Sequence, residues 1–241
     1  MVSTAPQNTV DLAEVIRARR GARAPFIVGI TGAVAVGKST LAAALSNVIA
    51  TWPEAPSVEV VCTDGFLLDN ATLEARGLSL RKGFPETYDA EALRRALAAL
   101  RAGPAEFPGY SHVTYDIDPA LARWIVPPDV LIVEGLGLQE PAALGLDALL
   151  YLDADEPLLE TWFTERFMQL WHAAEADPGS FYARFRHMSA EEVHSLAVRV
   201  WHSINLPNLR QHIILARARA DWVVRKGPAH VIEAIIQPPR A

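Results

Sequence analysis

The stretch Gly32-Ala33-Val34-Ala35-Val36-Gly37-Lys38-Ser39-Thr40 decides how this chain of 241 residues folds. Four residues separate its two glycines, and the second runs directly into Lys-Ser-Thr. Glycine at both ends permits a tight turn and lets backbone N–H groups close on phosphate oxygens, while a helix opening at the lysine adds the positive end of its dipole. In such a loop Lys38 neutralises the β- and γ-phosphates of a nucleoside triphosphate, and the Ser39 hydroxyl reaches Mg²⁺. The flanks supply the context that the motif needs: an apolar run, FIVGI at 26–30, leads in, and a helical pattern, LAAAL at 41–45, leads out.

Working outward, VEVVCT at 58–63 and VLIV at 130–133 are rich in β-branched residues, and ALLYL at 148–152 is a third short apolar run. Their near-continuous apolar character is that of central parallel strands buried on both faces. Residues 90–101 read as a helix, residues 12–20 as a short amphipathic helix packed outside the core, and WVV at 222–224 as an edge strand. Strands alternating with helices imply βαβ crossovers. The fold class expected is therefore α/β: a mostly parallel sheet flanked by helices. Residues 156–209 differ, being almost wholly helical and carrying Trp162, Phe163, Phe167, Trp171, Phe181, Tyr182, Phe185 and Trp201. Most of these aromatics pack helices onto the sheet, and the remainder form the inner face of a lid over an organic substrate. With no linker in the chain, residues 1–241 read as one unit: a nucleotide-binding core at 25–155, a helical lid and substrate region at 156–212, and a return to the core at 213–241.

Composition narrows the partners. The formal net charge of −6 and scattered arginines leave no nucleic-acid footprint, so the partner is a small molecule. A single cysteine, Cys62, excludes an internal disulfide, fits a reducing compartment and reads as a small buried strand residue. Residues 1–9 show no basic-then-apolar leader, and no apolar run approaches about 20 residues, so no membrane association and a cytoplasmic location are expected.

Two carboxylates follow strand ends. Asp64, in TDGF at 63–66, stands at the carboxyl edge of the sheet, where open α/β folds bind ligands, and is placed to accept a hydroxyl proton. Glu134 ends the run 130–133 on the same edge, within reach of Mg²⁺. Arg166, on the lid helix, is placed to neutralise charge on a transferring phosphoryl group. Tyr110 and His112 share a loop with Tyr115 and Asp116 and are candidates to hold a polar substrate. The turn Arg81-Lys82-Gly83 is a candidate anion contact, and Arg217 and Arg219 are weaker ones. The Asn-Lys-x-Asp run by which GTPases read their base is absent.

These residues resemble the prokaryotic type I pantothenate kinases, related in fold to uridine kinase and phosphoribulokinase. The likeness is carried in order by GAVAVGKST at 32–40, TDGFLLDNATLEARGLSLRKGFPETYD at 63–89, YSHVTYDI at 110–117, PDVLIVEGL at 128–136, TWFTERF at 161–167 and INLPNL at 204–209. It implies a P-loop kinase fold, and transfer from ATP with Mg²⁺ to the primary hydroxyl of pantothenate, the first step toward coenzyme A, by a homodimer. On this resemblance Asp64 is the base, and Lys38, Ser39 and Thr40 contact phosphate and metal. Tyr110, His112, Arg166 and Asn205 hold pantothenate or phosphates, Phe181 and Tyr182 line the pantetheine end, and His230 stacks on adenine. The chain departs from the pattern in four places. Its P-loop begins unusually close to the first residue, Phe163 replaces a tyrosine of the TWY run, Leu170 replaces an aromatic, and Ala43 stands where members inhibited by coenzyme A carry arginine. Weak inhibition by coenzyme A is expected. The competing expectations are a P-loop kinase acting on a nucleoside, sugar or other hydroxyl compound, and a nucleotide-binding regulatory protein without turnover.

Overall fold

The computed structural model describes residues 8–238, so residues 1–7 of the stretch read as lacking a leader lie outside the described residues. The chain begins with helix α1 (Thr9–Arg20), capped by the Asn8 side chain, and then strand β1 (Phe26–Gly32), every residue of which is buried. The P-loop leads into α2 (Lys38–Ile49), and β2 (Val58–Cys62) follows. A short α3 (Asn70–Ala75) and α4 (Ala90–Ala102) precede four small strands, β3 (Ala105–Phe107), β4 (Tyr110–Ser111), β5 (Asp116–Ile117) and β6 (Arg123–Ile125). β3 pairs with β6 and β4 with β5, each antiparallel. The core resumes with β7 (Val130–Glu134), a one-turn α5 (Pro141–Leu144) and β8 (Ala148–Asp153). The helical segment holds α6 (Glu156–Ala173), α7 (Ala190–Val200) and α8 (Leu206–Gln211), before β9 (Trp222–Lys226) and β10 (Ile232–Ile236) close the sheet.

The six strands of the main sheet lie in the order β10-β9-β8-β1-β7-β2, and every pairing except β9 with β10 is parallel. Parallel neighbours need long crossovers, which the intervening helices supply while covering both faces. The register aligns Ile30 and Cys62 with Glu134, so β1, β2 and β7 end side by side and deliver the P-loop, Asp64 and Glu134 to one edge.

Three expectations change. β9 is an interior strand, because β10 pairs outside it; the sequence IEAII returns antiparallel after the turn at 228–230, a pairing that no local pattern announces. β2 is the edge strand at the other end, and only Val61 within it is buried. α1 belongs to the core, since Leu12, Ala13 and Ile16 are fully buried against the sheet layer and α1 packs on α2. A second apolar cluster, centred on Phe167, Ala174, Tyr182, Val193 and Ala197, ties α6 to α7, so most of the aromatic run does serve packing. Among the described residues no helix is long and apolar enough to cross a membrane.

Candidate active site

The cleft is built from the P-loop upward. Gly32 has φ of +146°, and a Cβ there would lie 2.4 Å from the Leu152 carbonyl oxygen, so only glycine lets β1 turn against β8. Ala35 also takes a left-handed φ, of +64°, which completes a curled run of backbone N–H groups ahead of α2. Lys38 is held against its own loop, donating to the carbonyls of Ala33 at 2.9 Å and Gly32 at 3.3 Å. Burial lowers its pKa, while Glu134 and Asp64 oppose that shift and Arg166 adds to it. Arg166 is thus within electrostatic reach of the P-loop, although it is exposed.

Ser39 Oγ donates to Glu134 Oε1 at 2.8 Å, and the glutamate is only 7% exposed. Two hard oxygen donors side by side at the first turn of α2 suit Mg²⁺, which binds through one or two protein oxygens and otherwise through phosphates and water. No group of three or more His, Cys, Asp or Glu able to hold a metal occurs among the described residues, so a dedicated protein cage is not what this site offers.

Asp64 opens the turn after β2, where its N–H donates to the Cys62 thiol sulfur at 3.4 Å. Cys62 is therefore more than strand filling. It is half-buried, lines the cleft, and burial beside Asp64 and Glu134 raises its thiol pKa far above the ordinary range. The Tyr88 hydroxyl donates to Asp64 Oδ1 at 3.3 Å, and burial holds that phenol protonated. Tyr88 was not singled out by spacing. The signal for it is the packing of a tyrosine just before Asp89, the N-cap of α4.

These groups open into a cavity of 460 Å³. Among the residues lining it are Val34, Lys38, Ser39, Asp64, Glu134, Tyr110, His112, Phe163, Phe181, Tyr182 and Asn205, so most of the expected site residues meet in one place. The His112 ring packs on the edge of Tyr110 at 5.1 Å, and Phe163 lies 5.8 Å from Trp201. Asn205 closes a π-helical turn, Trp201–Asn205, between α7 and α8, and Pro207 follows. A π turn inserts an extra residue per turn and turns side chains toward a new face, a device common at functional sites.

Several expected residues lie elsewhere or act differently, among them Arg166, which does not line this cavity. His230 lies outside this cavity. Its ring stacks on Trp162 with centroids 3.9 Å apart, and its Nδ1 is 3.7 Å from where a Cβ on Gly37 would sit. Burial and the neighbouring Lys226 lower its pKa. Any stacking on adenine would thus use the ring face away from Trp162. Arg81 pairs with Glu86, and Arg217 and Arg219 pair with Asp153 and Glu140 at 3.2 and 2.9 Å, so these three arginines serve local ion pairs.

A P-loop facing a strand-end carboxylate, beneath helices that roof an apolar cleft, defines a P-loop kinase for a small hydroxyl compound. Residues 27–167 match the model of the phosphoribulokinase / uridine kinase family. Pantothenate kinases from Rhizobium rhizogenes and Sorangium cellulosum are 43% identical over 228 residues and 44% identical over 223, respectively. These alignments take in 89% and 88% of this chain and 69% and 72% of the relatives. A solved structure from Silicibacter sp. TM1040, described as a candidate fructose transport system kinase, is 28% identical and superposes with a TM-score of 0.69 over 84% of this chain and 92% of its own. The chain belongs to the phosphoribulokinase / uridine kinase family and, within it, to the type I pantothenate kinases.

Proposed function

We infer that the protein transfers the γ-phosphoryl group of ATP to the primary hydroxyl of pantothenate, giving 4′-phosphopantothenate and ADP at the entry to coenzyme A synthesis. The observation that carries this reading is the meeting of Asp64, the Lys38–Ser39 pair and the aromatic wall in one cleft. Asp64 is the base: it accepts the hydroxyl proton as the acceptor oxygen attacks the γ-phosphorus and the bond to the β-bridging oxygen breaks. Tyr88 orients it. Lys38 moves from its own loop carbonyls to the β- and γ-phosphates, and Arg166 reaches down from α6 to meet charge spreading onto the equatorial oxygens.

Ser39 and Glu134 would hold Mg²⁺, which would supply neutralisation of phosphate charge when bound. The P-loop residues Gly32 to Thr40 wrap the phosphates, and the adenine of ATP lies toward His230. Tyr110, His112 and Asn205 supply polar contacts to the hydroxyl, amide and carboxylate of the acceptor. Phe163, Phe181 and Tyr182 take its gem-dimethyl and extended ends. Little covalent work falls to the protein, so positioning and charge neutralisation supply most of the acceleration. The reading includes a cytoplasmic homodimer, checked by sedimentation at micromolar concentration. Turnover with Mg-ATP and pantothenate, read as phosphorylated product by mass spectrometry, tests it; ATP hydrolysis with no phosphorylated acceptor would sink it.

A further inference from the structure

Lys82 lines the same cleft without a role in the transfer just described. Its ammonium donates to Asn70 Oδ1 at 2.7 Å and to the Tyr115 carbonyl at 2.6 Å. It also stands 5.1 Å from the ring centre of Tyr110 and 5.0 Å from that of Tyr115, within cation–π range of both. Asn70, the first residue of α3, closes the triangle. Its Nδ2 donates to the same Tyr115 carbonyl at 3.1 Å, and its backbone N–H donates to Asp116 Oδ1 at 2.9 Å.

The hairpin that these groups grip needs holding. Tyr115 has φ of +60°, a left-handed conformation that a bulky side chain keeps only when its surroundings enforce it. The β4–β5 ladder has just two residue pairs, too few to be stable alone. The hairpin also carries the lid, since the Phe181 N–H donates to the Val113 carbonyl at 2.7 Å and the Tyr115 ring lies 4.8 Å from that of Phe181. Releasing the Tyr115 carbonyl would therefore loosen two rings of the acceptor wall and the turn above them.

We propose that Lys82 and Asn70 form a clasp on the Tyr115 carbonyl that holds the Tyr110 and Tyr115 side chains in place as a wall of the acceptor pocket, making both of them positioning residues. Asn70 does not line the cavity, so its effect on an acceptor has to pass through the hairpin. The ammonium already faces Asp116, Asp64 and Asp69, and two of its three donors are committed to Asn70 and Tyr115, so its main bonds are to the hairpin and not to the open cleft. The proposal rests on the acceptor reading above.

The test compares Lys82→Met, Lys82→Arg, Asn70→Ala and the Lys82→Met/Asn70→Ala double variant, using pantothenate and its uncharged N-propyl amide as acceptors. The expected result is a rise in KM of about tenfold for both acceptors in each of the Lys82→Met and Asn70→Ala variants, from losing bonds to a charged donor. kcat should stay within about twofold, ATP affinity should hold, Lys82→Arg should recover part of the loss, and the double variant should be no worse than the poorer single one. A loss confined to the carboxylate acceptor and missing from Asn70→Ala would overturn the clasp and make Lys82 a direct contact; unchanged KM in both would also overturn it. If the wild-type protein does not turn over pantothenate, the acceptor reading fails, and amide hydrogen exchange across residues 110–117 decides the clasp independently. Faster exchange there in Lys82→Met and Asn70→Ala, with the unfolding midpoint unmoved, supports it, and unchanged exchange refutes it.

Discussion

The Ser39 hydroxyl and the Glu134 carboxylate meet at 2.8 Å, although they stand 95 residues apart in the chain. Their meeting follows from sheet order: β1 and β7 are neighbours, and Glu134 aligns with Ile30, just before the P-loop. The bond joins the start of α2 to the end of a buried strand and sets two hard oxygen donors side by side, the donor type that Mg²⁺ takes. Replacing Glu134 with Gln should keep the fold and the hydrogen bond but weaken the metal site. A rise of about 10–100-fold in the Mg²⁺ concentration for half-maximal rate is expected. A Mg²⁺ titration at saturating ATP reads it directly.

Asp64→Asn should separate chemistry from binding. The amide accepts no proton, so kcat should fall by about 10²–10⁴-fold while ATP affinity changes little. Equilibrium binding of a non-hydrolysable ATP analogue, measured beside turnover, checks both halves. A rate within a few-fold of wild type would remove Asp64 from the role of base.

Lys38 supplies a pH prediction. Burial lowers its pKa below that of a free lysine, and bound phosphates raise it again. Above the lowered value the free protein carries a neutral amine, so nucleotide binding must take up a proton there and weakens as pH rises. Calorimetry of ATP-analogue binding in buffers of different ionisation enthalpy should show uptake that grows with pH and vanishes in Lys38→Met. Uptake independent of pH, or retained in the variant, would contradict this.

Gly135 follows Glu134 at the end of β7 and packs against Thr63, the residue before Asp64. It has φ of +140°, and a Cβ there would fall 2.0 Å from Thr63 Oγ1, a buried hydroxyl with no hydrogen-bond partner. Gly135→Ala should cost about 1–3 kcal/mol from the backbone alone, and more from the clash. Thermal unfolding should show a loss of several degrees, which Thr63→Ala in the same chain recovers only in part, because it relieves the contact and leaves the backbone strained.

Ala43, exposed on α2, motivates weak inhibition by coenzyme A. Competition assays against ATP should show little effect of coenzyme A, and Ala43→Arg should strengthen it; potent inhibition of the wild-type chain would contradict this reading.

Local chemistry made the nucleotide half of the site legible. The P-loop, Asp64 and Glu134 all lie at strand ends, and a strand run followed by a breaker marks such a position without knowledge of its neighbours. The parts that stayed hidden depend on distant pairings. β10 is an edge strand by virtue of β9, α1 is core because α2 and the sheet face it, and His230 is a stacking partner of Trp162 only once β9 and α6 are in place. The π turn at 201–205 could not be read from helical periodicity, which it interrupts, although Pro207 shortly after it is a local mark. Lys82 read as a candidate anion contact in a turn and not as a clasp on the chain, because its partners Asn70 and Tyr115 lie 12 and 33 residues away.

The most direct test of the central claim is ADP formation by the purified protein with Mg-ATP, comparing pantothenate with uridine, ribulose 5-phosphate and no acceptor. Pantothenate-dependent ADP, matched by an equal amount of phosphorylated pantothenate, is the predicted result. Turnover with another acceptor and none with pantothenate would keep the kinase and overturn its substrate, and silence with every acceptor would contradict the catalytic reading itself.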